Sequence, residues 1–538
     1  MQGVKGRVEV LMKLHYDYIV IGSGFGGSVS ALRLAEKGYR VCVFERGKRF
    51  QKKDYATTNW QLRKWLWPKL SCTGIQCLTF LRNALILSGA GVGGGSLGYC
   101  GVLLEPPEEF FADPQWAGLQ DDWLSTLAPF YQKAREMLGA TQNPHLWKSD
   151  ELLREYARDI GREDHFAPTD VGIFFGDPEK EVPDPFFGGK GPPRTGCNEA
   201  GCCMVGCNAG GKNSLDRNYL YLAEQLGVNI VPERLVTCVE PSRNGGYVVT
   251  TQHSSSLFPK DRKITTAKGV IFAAGALGTN KLLLNLKRTG ALPDLSDQVG
   301  RTVRNNSEVL VGVSSSDKNE RYCDGISITS RLAVDAHTVI EPVRYAEGSD
   351  AMGWLSGLLI DGGTRLTRPL KYLWMCIKHP VHFVRTLIPF GWAKRVIILL
   401  VMQTHDNRFD FCLKRRWYWP FNHKMDAKRG SSTTPTYIPA ANEAAKALAK
   451  KINGIPHNAI TEVLFNKPLS AHILGGCSIG TDPDDGVIDR RCRVFGYEKM
   501  YVVDGSAIPG NPGVNPSLSI TALAEYAMSF IPKKENRG

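Results

Sequence analysis

Residues 17–45 constrain the fold more tightly than any other stretch of this chain. Asp17-Tyr18-Ile19-Val20-Ile21 is a short apolar run, of the kind buried on both faces of a parallel sheet. It leads straight into Gly22-Ser23-Gly24-Phe25-Gly26-Gly27. The next segment, Ser28 to Lys37, sets Val29, Leu32 and Ala35 on one helical face, and Gly38 stops it. Arg40-Val41-Cys42-Val43-Phe44 then reads as a second strand ending at Glu45. Strand, helix and strand in this order form a βαβ unit, which commits the chain to a parallel sheet covered by helices. Gly22 permits the tight turn, Gly24 lets the backbone approach a pyrophosphate, and Gly27 allows close helix–strand packing. Glu45 stands where an acid can bind both ribose hydroxyls of a dinucleotide. The motif alone does not separate FAD from NAD.

A second glycine run does. Ser88-Gly89-Ala90-Gly91-Val92-Gly93-Gly94-Gly95-Ser96 has too many glycines for a helix or strand interior. Successive exposed amides form an anion-binding concavity, and bare backbone lets a flat ring lie against it. A cofactor with both a pyrophosphate and a planar head fits two such loops.

The C-terminal region adds chemistry. His472 stands alone in the turn Ala471-His472-Ile473-Leu474-Gly475-Gly476-Cys477, and a strand, Tyr501-Val502-Val503-Asp504-Gly505, follows. Gly513-Val514-Asn515-Pro516-Ser517 then opens a helix, with Asn515 and Pro516 suited to its cap and first position. Such a helix aims the positive end of its dipole at whatever precedes it. An imidazole beside an anion-seeking helix start suits a site that moves a proton and stabilises negative charge.

Five blocks, in family order, resemble the glucose–methanol–choline flavoprotein oxidoreductases, and among them the cholesterol oxidase-like branch. They are Ile19 to Glu45, Gly89 to Pro106, Cys197 to Tyr219, Gly269 to Thr279 and His472 to Glu525. The resemblance implies an α/β protein: a Rossmann-like FAD-binding domain, discontinuous in sequence, and a substrate domain on a mainly antiparallel sheet. Residues 1–110, 195–310 and 465–538 fall to the FAD-binding domain, 311–464 to the substrate domain, and 111–194 to a connecting segment. By position, Gly22, Gly24, Gly27 and Glu45 match the adenosine-diphosphate site. Gly91, Gly94, Gly95 and Ser96 match the loop along the pyrophosphate and flavin. Val236 matches a strand touching the adenine, and Asp504 and Gly505 match a second flavin segment. His472 and Asn515 match the catalytic histidine–asparagine pair. After Ser96 the chain reads Leu97-Gly98-Tyr99-Cys100-Gly101, where relatives usually carry an asparagine on the flavin. No histidine lies in this loop, so FAD is expected to be bound noncovalently.

The implied reaction is oxidation of a hydrophobic secondary alcohol, a 3β-hydroxysteroid such as cholesterol, with oxygen or another electron acceptor. A neutral imidazole suits removal of the hydroxyl proton, which makes His472 the base, and the Asn515 amide can donate to the substrate oxygen. Double-bond isomerisation needs a carboxylate in the pocket. Glu341, in the apolar run Thr338-Val339-Ile340-Glu341-Pro342-Val343, is the candidate; it reads equally as an edge-strand glutamate before a proline. Long-chain or polyol alcohols are alternative substrates, and a flavin- or lipid-binding protein without turnover is an alternative of another class.

Cys197, Cys202, Cys203 and Cys207 crowd one segment, but Ala200 breaks the ferredoxin-like spacing. They read as a compact turn of reduced thiols, and no metal is assigned. The 14 cysteines, with no secretory signal visible in Met1 to Leu14, suggest a cytoplasmic protein. The excess of 66 Lys+Arg over 53 Asp+Glu is spread along the chain and accompanies no nucleic-acid motif, so no nucleic-acid partner is expected. No run of apolar residues is long enough to span a bilayer. Residues 353–402 mix apolar runs and aromatics with cations, and Trp60 to Trp67 is similar. Such stretches suit peripheral contact with a membrane surface or, alternatively, core-facing helices whose cations snorkel.

Overall fold

The computed structural model describes residues 15–67, 72–116, 122–255, 261–416, 419–429 and 434–535. Met1 to Leu14, read above for a secretory signal, lie outside the described residues. The βαβ unit forms as read: strand His15–Ile21, helix Phe25–Glu36 and strand Val41–Phe44. Its apolar strands are buried on both faces because they lie inside a larger sheet. His15–Ile21 pairs in parallel with Val41–Phe44 on one side and with Lys263–Phe272 on the other. Asn229–Val231 extends the sheet beyond Val41–Phe44, and Met500–Val502 joins Lys263–Phe272, both in parallel. An antiparallel extension, Tyr247–His253 and Arg234–Pro241, completes it. The sheet therefore collects strands from three separated stretches of chain.

Its face is covered closely. A Cβ at Gly26 would come within 1.8 Å of the Val503 carbonyl oxygen, so the start of the first helix lies directly on the end of the C-terminal strand. The helix Ser517–Ser529 packs beside it, and Arg33 of the first helix donates to both oxygens of Glu525, at 2.7 and 2.8 Å.

A second sheet has seven strands, all antiparallel. Its order is Ser356–Leu358, Gly454–Ala459, Val309–Ser315, Val396–Gln403, Thr338–Val343, Ser330–Ala333 and Phe166–Pro168. Alternation along these strands sorts the side chains by face. Val309, Val311 and Val313 share the outer face with Ile397, Leu399 and Val401 and pack against Ala441, Ala444 and Leu448 of the helix Pro439–Lys451. Burial of each such aliphatic side chain contributes about 1.5–3 kcal/mol. Leu310, Gly312, Ile398, Leu400 and Val343 take the inner face and line a cavity above the glycine loops. Thr338–Val343 lies inside this sheet, so Glu341 is not on an edge strand.

Helices Thr367–Lys378 and Pro380–Leu387 lie against the Ser356–Leu358 edge of this sheet. Their large apolar residues do not all face the core: Leu366, Leu370, Trp374 and Ile377 are exposed. The Trp60–Trp67 stretch divides differently, since Trp65 and Trp67 are buried. Among the described residues, no helix is long and apolar enough to cross a membrane.

Candidate active site

One cavity of about 700 Å³ runs from the first glycine loop to the C-terminal histidine. That volume is in the range of a pocket that buries most of an organic ligand. Gly22, Gly24, Glu45 and Val236 line one end, Gly94 and Gly95 the middle, and His472, Asp504, Gly505 and Asn515 the other.

The glycine end is held open by backbone. Gly22 has φ +99°, and a Cβ there would strike the Ala273 carbonyl oxygen at 2.4 Å. A Cβ on Gly27 would meet the Gly22 carbonyl oxygen at 2.1 Å, which is the close packing expected of that position. At Gly24 and Gly95, by contrast, nothing lies within 4 Å of an added Cβ, and both residues line the cavity. A side chain at either position would project into the channel. Bare backbone on two facing loops fits a pyrophosphate and a flat ring, so the residues present suit a dinucleotide such as FAD. Gly91 and Ser96 stand behind this wall instead of on it: the Gly91 carbonyl accepts from the Gly94 N–H at 2.7 Å, and Ser96 Oγ accepts from the Leu215 N–H at 3.0 Å. Glu45 is buried and accepts from Ser23 N at 3.0 Å, Ser23 Oγ at 2.7 Å and Gly47 N at 2.7 Å. A carboxylate has about four lone-pair directions, so the protein itself holds Glu45 in place and leaves little room for further donors.

The segment that departs from the family pattern is fixed from behind. Gly98, Tyr99 and Cys100 line the cavity. Lys212, fully buried, donates to the carbonyls of Leu97 at 2.7 Å, Tyr99 at 3.2 Å and Cys203 at 2.7 Å. Burial lowers its pKa. This clamp was not read from sequence; the only signal is a lysine in an otherwise small, polar turn. The clustered cysteines adjoin it. Cys207 Sγ accepts from the N–H groups of Gly210 and Lys212, each at 3.3 Å, and Cys197 Sγ from that of Glu199 at 3.4 Å. Among the described residues, no three His, Cys, Asp or Glu side chains are grouped to hold a metal.

At the far end His472 and Asn515 meet two buried acids. His472 Nδ1 lies 2.6 Å from Glu308 Oε2, and the Ala471 N–H donates to Glu308 Oε1. Burial opposes protonation of His472, but the Glu308 charge, its hydrogen bond and the further charge of Glu341 outweigh it and raise the pKa. Glu308 was not foreseen. A signal for it exists in Glu308-Val309-Leu310-Val311-Gly312-Val313: alternation puts the acid on the inner face with Leu310 and Gly312.

Asn515 does not cap the following helix. That helix starts at Ser517 with Pro516 in the cap position and no side-chain cap bond. Asn515 Nδ2 instead donates to Glu341 Oε2 at 3.3 Å, because this buried carboxyl competes for the amide. Glu341 reaches the cavity through Asn515 and is fully buried, with Oε1 lacking a partner. Burial, against the opposing effects of Asn515 and His472, raises its pKa to about 7. Asp504, also buried, accepts from Thr279 Oγ1 at 2.5 Å and Ser506 N at 2.8 Å.

Residues 193–301 and 431–524 match the two GMC oxidoreductase family profiles, and residues 20–51 match an NAD(P)-binding Rossmann-like domain. The chain is 47% identical to a cholesterol oxidase of Mycobacterium tuberculosis over 97% of its own length and 92% of that protein. It is 44% identical to a cholesterol oxidase of Acinetobacter baumannii over 96% of its length and 95% of that protein. The fold is similar to that of pyridoxine 4-oxidase from Mesorbium loti, with a TM-score of 0.61 at 15% identity, covering 96% of this chain and 99% of the other. With full-length relatives of this similarity, and with two glycine loops and a histidine sharing one cavity, the chain belongs to the FAD-dependent GMC oxidoreductases.

Proposed function

We propose that the chain oxidises the 3β-hydroxyl of a sterol such as cholesterol to the ketone, with molecular oxygen as the final electron acceptor. The observation that carries this reading is the His472–Glu308 pair at one end of a cavity whose inner-sheet wall is aliphatic. An ionised Glu308 can only accept, so it keeps the neutral imidazole's proton on Nδ1 and leaves the Nε2 lone pair as base. His472 takes the hydroxyl proton there. Asn515, anchored through Nδ2 to Glu341, keeps a second N–H for the substrate oxygen. The start of the helix Ser517–Ser529 lines the same end and favours negative charge there. Gly24, Gly94 and Gly95 would hold FAD noncovalently, and the bound cofactor would accept the carbinol hydride. Leu310, Val343, Ile398 and Leu400 exclude water from the apolar body of the substrate. Glu341, ionised, takes a proton from the carbon between the new ketone and the double bond and returns it to the far carbon of that double bond, which moves the double bond into conjugation and regenerates the carboxylate.

The same reading has the protein collecting a poorly soluble substrate at a membrane surface, in a reducing compartment that suits a chain with 14 cysteines. Anaerobic reduction of the holoenzyme tests the main claim. Sterols should bleach the flavin and simple alcohols should not. His472→Ala should slow bleaching at least about a hundredfold. If only long-chain or polyol alcohols bleach it, the sterol assignment fails.

A further inference from the structure

The strongest unexplained surface is the outer side of the helices Thr367–Lys378 and Pro380–Leu387. A surface helix ordinarily turns its apolar stripe inward. Here the inward side is filled by Arg368, Tyr372, Met375 and Phe383, the last three against Leu358, Ile455 and Val463. The outward side carries Leu366, Leu370, Leu373, Trp374 and Ile377, a second complete helical stripe, exposed by 58–79%. On the next helix Val381, Val384 and Leu387 continue it, each more than half exposed. Isolated exposed apolar residues are unremarkable, but a contiguous face across two helices marks an interaction site.

Charge identifies the partner. From residue 362 to residue 405 the sequence holds no Asp or Glu, while Lys371, Lys378 and Arg385 on these helices, and Arg365 in the turn before them, flank the stripe. A second copy of this chain is a poor partner, because a two-fold interface would set these cations against one another. An anionic bilayer satisfies both features at once, with the stripe in the acyl boundary and the cations among the headgroups. The position agrees. Trp354 and Phe390 are exposed beside this face, and the Trp60 ring contacts both, at 5.1 and 6.3 Å between centroids. Their sequence neighbours Met352, Leu355 and Trp392 line the cavity.

We infer that these two helices form an interfacial anchor that seats the Met352–Leu355–Trp392 end of the cavity on an anionic lipid bilayer. The inference rests on the sterol reading for its purpose but not for its test. Full-length holoenzyme is floated with phosphatidylcholine vesicles, with and without phosphatidylglycerol. It should rise with the anionic vesicles, much less with the neutral ones, and less as salt is added. The pair Leu373→Asp with Ile377→Asp should cut the bound fraction at least about tenfold. Its melting temperature and its turnover of detergent-dispersed sterol should not change. If that pair does not fold, Leu370→Ser with Trp374→Ser serves instead. Failure of the unmodified protein to float, flotation of the variant like the parent, or a solution dimer that the variant dissociates would each overturn the anchor. Flotation as described without oxidation of any sterol would leave the anchor standing and remove the sterol reading.

Discussion

Glu308 Oε2 and His472 Nδ1 are 2.6 Å apart at the inner end of the cavity, and Glu308 is itself buried. The pair fixes two things at once: the ring's orientation and the nitrogen that carries its proton. Because the coupling raises the His472 pKa, the neutral base is depleted at low pH. The acid limb of kcat/KM should therefore lie above the ordinary imidazole value. Glu308→Gln removes the charge and leaves burial as the main influence, which shifts the limb to lower pH. The plateau rate should also fall, by roughly a hundredfold, as the imidazole loses its fixed tautomer. A variant with the parent's pH profile would mean that Glu308 only packs the turn.

The glycine loops separate folding from binding. Gly24 is extended, with φ −73°, a conformation open to any residue, and its missing side chain points into the channel. Gly24→Ala should fold with nearly the parent's apoprotein melting temperature yet retain little flavin, visible as loss of the yellow chromophore. Gly26→Ala should fail earlier, because its Cβ would overlap the Val503 carbonyl. Equal flavin content in Gly24→Ala and the parent would show that the cofactor does not pass this point.

Legibility in the sequence follows the range of the interaction. The βαβ unit was readable because its strand, turn and helix signals lie within thirty residues of one another and need no distant partner. The glycine-rich turn and the helix start mark His472 and Asn515 locally, and the structure brings both to the cavity. Glu308 and Lys212 were not readable in this way, since each acquires its role from residues far along the chain: His472 for one, the Leu97 and Tyr99 carbonyls for the other. Asn515 shows the same limit in reverse. Its local pattern is that of a helix cap, but Glu341, brought in by the second sheet, takes the amide instead.

Glu341 divides oxidation from isomerisation. Glu341→Gln keeps a hydrogen-bonding partner for Asn515 but cannot carry a proton. It should oxidise sterol at a rate within about tenfold of the parent and release the unconjugated ketone, separable by chromatography. In the parent the isomerisation step should strengthen as pH rises through about 7, where burial has placed this carboxyl. Conjugated product from the variant at the parent's rate would assign the proton transfer to another group.

A second buried acid tests how the fold bears such groups. Glu462 is fully buried; its Oε1 accepts from the Leu310 N–H at 3.3 Å and its Oε2 has no partner. Burial, against the lowering effects of that N–H and of Arg368, raises its pKa to about 8. Between the ordinary carboxyl value and about 8, the folded protein holds a proton that the unfolded chain has released. Stability then falls as pH rises through this window, and the penalty is complete above it. Glu462→Gln keeps an acceptor for Leu310 and cannot ionise. Its melting temperature should match the parent's near pH 4.5, exceed it increasingly up to about pH 8, and keep a constant margin above that. The difference there should be on the order of a few kcal/mol. Arg368 supplies the competing effect, since its Nη1 bonds Thr436 and Asn466 while its charge also feels Glu462. If the variant is instead less stable than the parent at pH 9, the carboxylate is compensating the buried guanidinium, and its removal leaves that charge unmatched.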